Sequence, residues 1–372
     1  MKIPVNGDQS TDGTSTEFTP AAAPELADPV LMLDASATAH DVAIAELRRL
    51  VNAWLRHEPG ARLGEDPEEL HQLRVTARRI DATLGLFKHQ LPVSLVRARK
   101  TTKAVLRSLG AARDLDVQLN ELAHCCENLP DGERAAAEPL RGRLESERAR
   151  ARSRMLRALD SEATRHWLET LTLAVAEQST VSGGDPAMQV MPERVRQRFR
   201  KLRKSVTKLR GKSSMEDYHQ VRRRAKQLRY ATECGSGMFG KPGDDLLKAL
   251  RRLQDGLGAH QDAYMAQQRL AALAAEPTGG LPPATLFLMG RLAEQNAQVT
   301  AHARDTLVRS WRKVRGKRWR ALRSRLGELT DAATANQLLS TGHALEDAAS
   351  AAAEASVDPA HPSAPEVRPV KH

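Results

Sequence analysis

Between residues 37 and 326, apolar side chains recur at helical spacing almost without interruption, and no stretch sustains the alternation of a half-buried strand. The pattern predicts helices near 37–56, 67–91, 95–129, 133–177, 192–212, 215–238, 244–275 and 282–326, the longer ones broken again internally. Breaks fall where Pro and Gly collect: "HEPGARLGED", "KHQLPVS", "ENLPDGE", "VSGGDPAMQVMP", "GKSSMED", "FGKPGDD" and "AAEPTGGLPP". Two entries carry sound start chemistry. Asp66 stands at an N-cap before Pro67, and Ser214 with Asp217 forms the reciprocal pair of a capping box. The fold class is all-α.

The flanks lack this periodicity. Residues 1–36, rich in Thr, Ala, Pro, Ser and Asp, read as a disordered acidic tail. Residues 327–372 read as a second, Ala/Pro-rich acidic tail, mostly disordered, with room for a short helix near 333–353. No run approaches the roughly 20 apolar residues of a membrane span. The first residues lack a basic start and apolar core, so no secretion signal is read and a cytoplasmic location is expected. Cys125, Cys126 and Cys234 make no disulfide framework.

Charge sharpens the picture through its distribution. The chain carries +11, each tail holds −5, and residues 37–326 therefore carry +21. Residues 191–229 contain 15 Lys and Arg against three acids, and residues 304–325 contain ten against one. A solvated helix face intersperses acids for i,i+4 pairing. This one does not, so an anionic partner is expected.

Sliding the sequence on itself by 148 residues superposes His71 on His219, Gln72 on Gln220, Arg74 on Arg222 and Ala77 on Ala225. The same offset lays "LGAARD" (109–114) on "LGAHQD" (257–262) and Lys100 on Lys248. The core is read as a tandem duplication: repeat one 37–178, linker 179–186, repeat two 187–326. In each copy a histidine heads a cationic helical stripe: His71, Arg74 and Arg78, then His219, Arg222, Lys226 and Arg229. The following helix adds Lys100, Lys103 and Arg107, or Lys248, Arg251 and Arg252. A histidine in such a cluster titrates near neutrality, and a bound phosphate favours its doubly donating form. Asp114 and Asp262 are expected to orient a neighbouring Arg or His rather than touch an anion. Gly110 and Gly258 are expected to permit close helix approach.

The segments "EELHQLRVTARRIDATLGLF" with "LRSLGAARDLDV", and "DYHQVRRRAKQLRYATE" with "LRRLQDGLGAHQDA", resemble the two halves of a CHAD domain, the conserved-histidine α-helical domain. The resemblance spans about 40–325. It implies a pair of four-helix bundles with pseudo-two-fold symmetry around a basic channel that binds inorganic polyphosphate, often at polyphosphate-containing granules. It assigns that contact to the two stripes with Arg79 and to Lys100, Lys103, Lys248 and Arg251; the adjacent cations Arg107, Arg223 and Arg252 are taken as further candidates. This sequence departs from the pattern at Asp81, where a cation is common, and at "HQD", where His260 and Gln261 stand in place of Ala112 and Arg113. Weaker binding by the first half follows. The Glu-x-Glu-x-Lys mark of a fused triphosphate-tunnel domain is absent, since Glu145-Ser146-Glu147 is followed by Arg148 and Ala149.

Charge alone does not separate phosphate polymers, so a nucleic-acid binder is the second reading. It is weakened by the few aromatic platforms on the basic helices: Phe199, Tyr230, Trp311 and Trp319. An enzyme is a poorer fit, because acids do not cluster near the histidine motifs as metal-assisted hydrolysis requires. "HCC" at 124–126 points three adjacent side chains to different helix faces, a poor zinc site. Neither cofactor nor metal is expected.

Overall fold

The amphipathic stripes bury themselves by helix-on-helix packing in a computed structural model that describes residues 36–127, 129–176, 184–209, 213–276 and 280–355. In chain order the helices are α1 (Ala39–Leu63), α2 (Pro67–Leu86), α3 (Val93–Glu127), α4 (Asp131–Leu159), α5 (Glu162–Ala176), α6 (Ala187–Lys208), α7 (Met215–Cys234), α8 (Ser236–Ala274) and α9 (Pro283–Lys313). A π-helical turn, Val314–Arg318, then joins α9 to α10 (Trp319–Ala355). Among the described residues there is no strand, only an isolated bridge between Thr38 and Pro186. No described helix is long and apolar enough to cross a membrane.

Local chemistry sets the entries. Thr38 with Asp41, and Ser214 with Asp217, form complete capping boxes for α1 and α7, while Asp66 caps α2 ahead of Pro67. The break expected within "HEPGARLGED" falls later, at Gly64 with φ 76°, because α1 absorbs Pro59. Glu58 accepts from Trp54 Nε1 at 2.8 Å and from Arg62 Nε at 3.0 Å, and Arg152 of α4 caps the last carbonyls through Ala61 O at 3.2 Å and Arg62 O. The 133–177 stretch divides at Asp160 and Ser161 into α4 and α5.

The expected tail boundary at 326 also moves. Here α10 runs on to Ala355, and Leu326, Leu329 and Ala333 extend one packing stripe across the boundary. The acidic composition hid a helix that, as far as Leu339, buries only a narrow stripe. Residues 1–35, 177–183 and 356–372 lie outside the described residues, and with them most of both expected tails' ends and the linker.

Element boundaries repeat with the sequence offset. Residues 39 and 187 begin α1 and α6, and α2 and α7 begin and end 148 residues apart. Val93 opens α3, and its counterpart Lys241 follows Gly240, whose φ of 54° and ψ of −149° interrupt α8 in a region only glycine occupies readily. An aromatic pair anchors each half: Trp54 of α1 meets Trp167 of α5 edge-on at 4.9 Å, and Phe199 of α6 stacks on Trp319 of α10 at 3.6 Å. Trp167 Nε1 donates to buried Thr102, which donates to Ala98 O, so the core leaves neither polar group unpaired. The halves meet where α2 packs on α7 and α1 on α6.

Candidate anion-binding site

Where α2 approaches α7, the packing faces of both helices turn away from each other, toward Leu73, Ala77 and Ile80 on one and Val221, Ala225 and Leu228 on the other. The cationic stripes are left between them. There a cavity of about 900 Å³ opens, lined by His71, Arg74 and Arg78 of α2 and Arg222 of α7. The later turns of α3 and α8 add Arg113, Asp114, Glu121, Gln261, Asp262 and Arg269, and α4 adds Arg143, Glu147, Arg150 and Arg154.

The two halves repeat one kernel. Arg74 Nη2 lies 3.3 Å from Asp114 Oδ1, and Arg222 Nη1 lies 4.0 Å from Asp262 Oδ1. Arg222 Nη1 also donates to Gln261 Oε1 at 2.7 Å. The glycines of the motif serve these arginines rather than a close helix crossing. A Cβ on Gly110 would meet Arg74 Nε at 3.5 Å, and one on Gly258 would meet Arg222 Nη2 at 3.4 Å. Each guanidinium lies over a bare stretch of the neighbouring helix.

Electrostatics make this a site short of negative charge. Burial, then the field of Arg78, pulls Arg74 below the ordinary arginine value, and burial pulls Arg222 the same way. Lys226, half-buried and not among the lining residues, is lowered to about 6 by burial and by the fields of Arg78, Arg222, Arg74 and Arg229. His71 and His219 are lowered too, mainly by burial. Burial, together with the neighbouring cations, thus disfavours the protonated form of all three. Burial raises Asp262 and Glu121, the latter helped by the charge of Asp262.

The other residues singled out from sequence do not line this cavity. Arg79 and Arg229 share Glu233, at 3.6 and 3.5 Å, and so tie α2 to α7. Arg223 pairs with Glu216 at 2.6 Å, and half-buried His219 stands outside the lining. Lys100, Lys103, Arg107, Lys248, Arg251 and Arg252 are exposed, because α3 and α8 turn their Leu- and Ala-rich faces inward. Asp81 is held by Arg99 at 2.8 Å, and His260 is buried with its ring 4.6 Å from that of Tyr218. Missed from sequence were Arg113, Arg143, Arg150, Arg154 and Arg269. The spacing i, i+7, i+11 of Arg143, Arg150 and Arg154 was the available signal, masked by Glu145 and Glu147 between them. Glu147 neutralises part of this wall, pairing with Arg143 at 3.1 Å and with Arg269. Arg78, Arg150 and Arg154 have no ion pair among the described residues. No His, Cys, Asp and Glu cluster there is suited to a metal ion.

The family model for the CHAD domain matches residues 45–271. The fold is similar to that of PptA from Streptomyces chartreusis, with a TM-score of 0.61 and 23% identity over 74% of this chain and 100% of that one. It is also similar to the crystal structure of the CHAD domain from the plant Ricinus communis, with a TM-score of 0.64 and 27% identity over 78% of this chain and 96% of that one. No curated protein matches the chain.

Proposed function

The chain belongs to the CHAD family, and from that premise and the arginine-lined cavity we propose that it binds inorganic polyphosphate without catalysing a reaction on it. The family is associated with polyphosphate. The observation that carries the reading is the concentration of eight arginines around about 900 Å³, contributed by five helices of both halves. A guanidinium offers paired donors to phosphate oxygens, and it keeps its charge when partly desolvated. A flexible chain with about one charge per phosphate engages many such forks together, and counterion release makes the complex sensitive to salt. Two similar halves face one ligand, which is why the His-x-x-Arg motif is written twice. In the cell this binding holds the protein at polyphosphate-containing granules.

The cavity lining includes no Phe, Tyr or Trp, so it supplies no stacking platform for bases. That favours polyphosphate over single-stranded nucleic acid as the occupant. The test compares long-chain polyphosphate with single-stranded DNA at two salt concentrations, using the full chain and an Arg74→Ala/Arg78→Ala/Arg222→Ala variant. Three charge-assisted contacts, each worth roughly 1.5–3 kcal/mol, predict loss of polyphosphate affinity by about a hundredfold or more. Polyphosphate length on a gel should stay constant during incubation. The reading fails if both polymers bind alike and the variant weakens both equally.

A further inference from the structure

A second acid-free cationic surface lies elsewhere, at the junction of α9 and α10, beyond the residues matched by the family model. From Arg309 to Arg325 the chain has nine Lys and Arg and no Asp or Glu. Arg312, Lys313, Arg315, Lys317, Arg320 and Arg323 are all exposed. Among the described residues the run makes one ion pair, Arg325 with Glu328 at 3.1 Å. Of the helices packed against α10, α6 adds exposed Arg203 and Lys204.

The first half contains a control. Its α5 packs on α1 through Trp167 and Trp54, as α10 packs on α6 through Trp319 and Phe199. Yet α5 carries Glu162, Arg165 and Glu169, with His166 3.9 Å from Glu169, a mixed surface of ordinary kind. The structural position therefore does not require an acid-free face. The π-helical turn, with Gly316 at ψ −131°, interrupts the helix in the middle of the run. Trp311 is buried, 5.8 Å from Phe199, and the Trp319 ring lies against the same side chain. Each indole thus spends a face on Phe199, and the exposed side chains of the run are mainly Lys and Arg. Drawn as one continuous helix, Arg309 to Arg323 would extend about 21 Å at 1.5 Å per residue, a path interrupted at Gly316. Over that length duplex DNA presents about twelve phosphate charges, which are contacted from outside without unstacking a base.

We propose that the α9–α10 junction is a second polyanion site, separate from the arginine cavity, which holds the phosphate backbone of duplex nucleic acid without reading its sequence. Such a protein bridges a polyphosphate chain and a nucleic-acid duplex. The test uses the full chain, a labelled duplex DNA of mixed sequence and long-chain polyphosphate as separate probes. Two variants are compared: Arg312→Glu/Arg315→Glu/Lys317→Glu/Arg320→Glu at the junction, and the triple alanine variant in the cavity. The junction variant should lose duplex affinity by about a hundredfold at low salt, with a salt slope shallower by about 3–4. Its polyphosphate affinity should stay within about threefold, while the cavity variant shows the opposite pattern. An Arg312→Lys/Arg315→Lys/Arg320→Lys variant, which keeps charge, should retain the duplex. Duplex binding that survives charge reversal, or that is lost as fully in the cavity variant, overturns the assignment. Failure of the cavity to hold polyphosphate would appear separately, in the other probe.

Discussion

The two halves of the molecule share a kernel but not a wall. Each has an arginine seated over a glycine and turned toward an aspartate: Arg74, Gly110 and Asp114 in one half, Arg222, Gly258 and Asp262 in the other. Around that kernel the first half adds Arg78, Arg113, Arg143, Arg150 and Arg154 to the cavity, and the second adds Arg269. Sequence reasoning ranks the halves the other way, since Asp81 stands where the second half has Arg229. In the structure neither residue lines the cavity: Asp81 is matched by Arg99 and Arg229 by Glu233. What differs is the fourth helix. Residues 148 beyond Arg143 and Arg150 are Arg291 and Gln298, and α9 spends Arg291 on Glu133 of α4. One helix lines the anion space, and its counterpart braces it. Repetition in sequence preserved the pairwise contact, while the wall diverged.

This inequality can be broken experimentally. Replacing Arg150 and Arg154 together with Ala should lower polyphosphate affinity by about ten- to a hundredfold, since partly exposed charge-assisted contacts are discounted for solvent. Arg291→Ala on α9, at the position 148 beyond Arg143, should leave it within about twofold. Equal losses in titration calorimetry would mean that the walls contribute alike.

A smaller, several-fold effect should come from pH. Lys226 of the free protein titrates near 6, and His71 and His219 below their ordinary value, so above that range anion binding must take up protons. Affinity should therefore fall as pH rises from 5.5 to 8 at constant ionic strength. Lys226→Arg, which stays charged, should flatten the profile, and an unchanged slope would remove Lys226 from the coupling. The sign for stability is opposite to that of a paired cation. Because the unfolded lysine binds its proton up to about 10.4, the unfolded state holds more protons above pH 6, and this group makes the free fold more stable as pH rises through that window.

The smallest effect tests the shared kernel. Gly110→Ala and Gly258→Ala each place a methyl group at ordinary contact distance from a guanidinium. Each should raise stability by up to about 1 kcal/mol through helix propensity. Unequal shifts in denaturant midpoint would show that the kernels differ as well.

Helices α2 and α7 were legible because caps, hydrophobic period and the cationic stripe agree within some twenty residues. Their Arg74, Arg78 and Arg222 reach the cavity directly from that stripe. The exposed positions of Lys100 and Arg251 were not legible, since the direction of a helix face depends on which neighbour it packs against. Arg150 and Arg154 were hidden for the same reason, on a helix whose period is blurred by acids. The helix after 326 was hidden by composition: Ala, Ser and acids serve a helix with one narrow buried stripe as well as a solvated coil.

Asp114 and Asp262 also set a threshold for guests. Each is a competitor tethered beside the arginine it faces, present at an effective concentration of order millimolar or above. A lone orthophosphate must displace it with one contact and so gains little from the exchange. A polymer that displaces both while also reaching Arg78, Arg150 and Arg154 gains at every further step. On the proposed reading, the built-in carboxylates would make the cavity a discriminator of valence, favouring long polyanions over small anions.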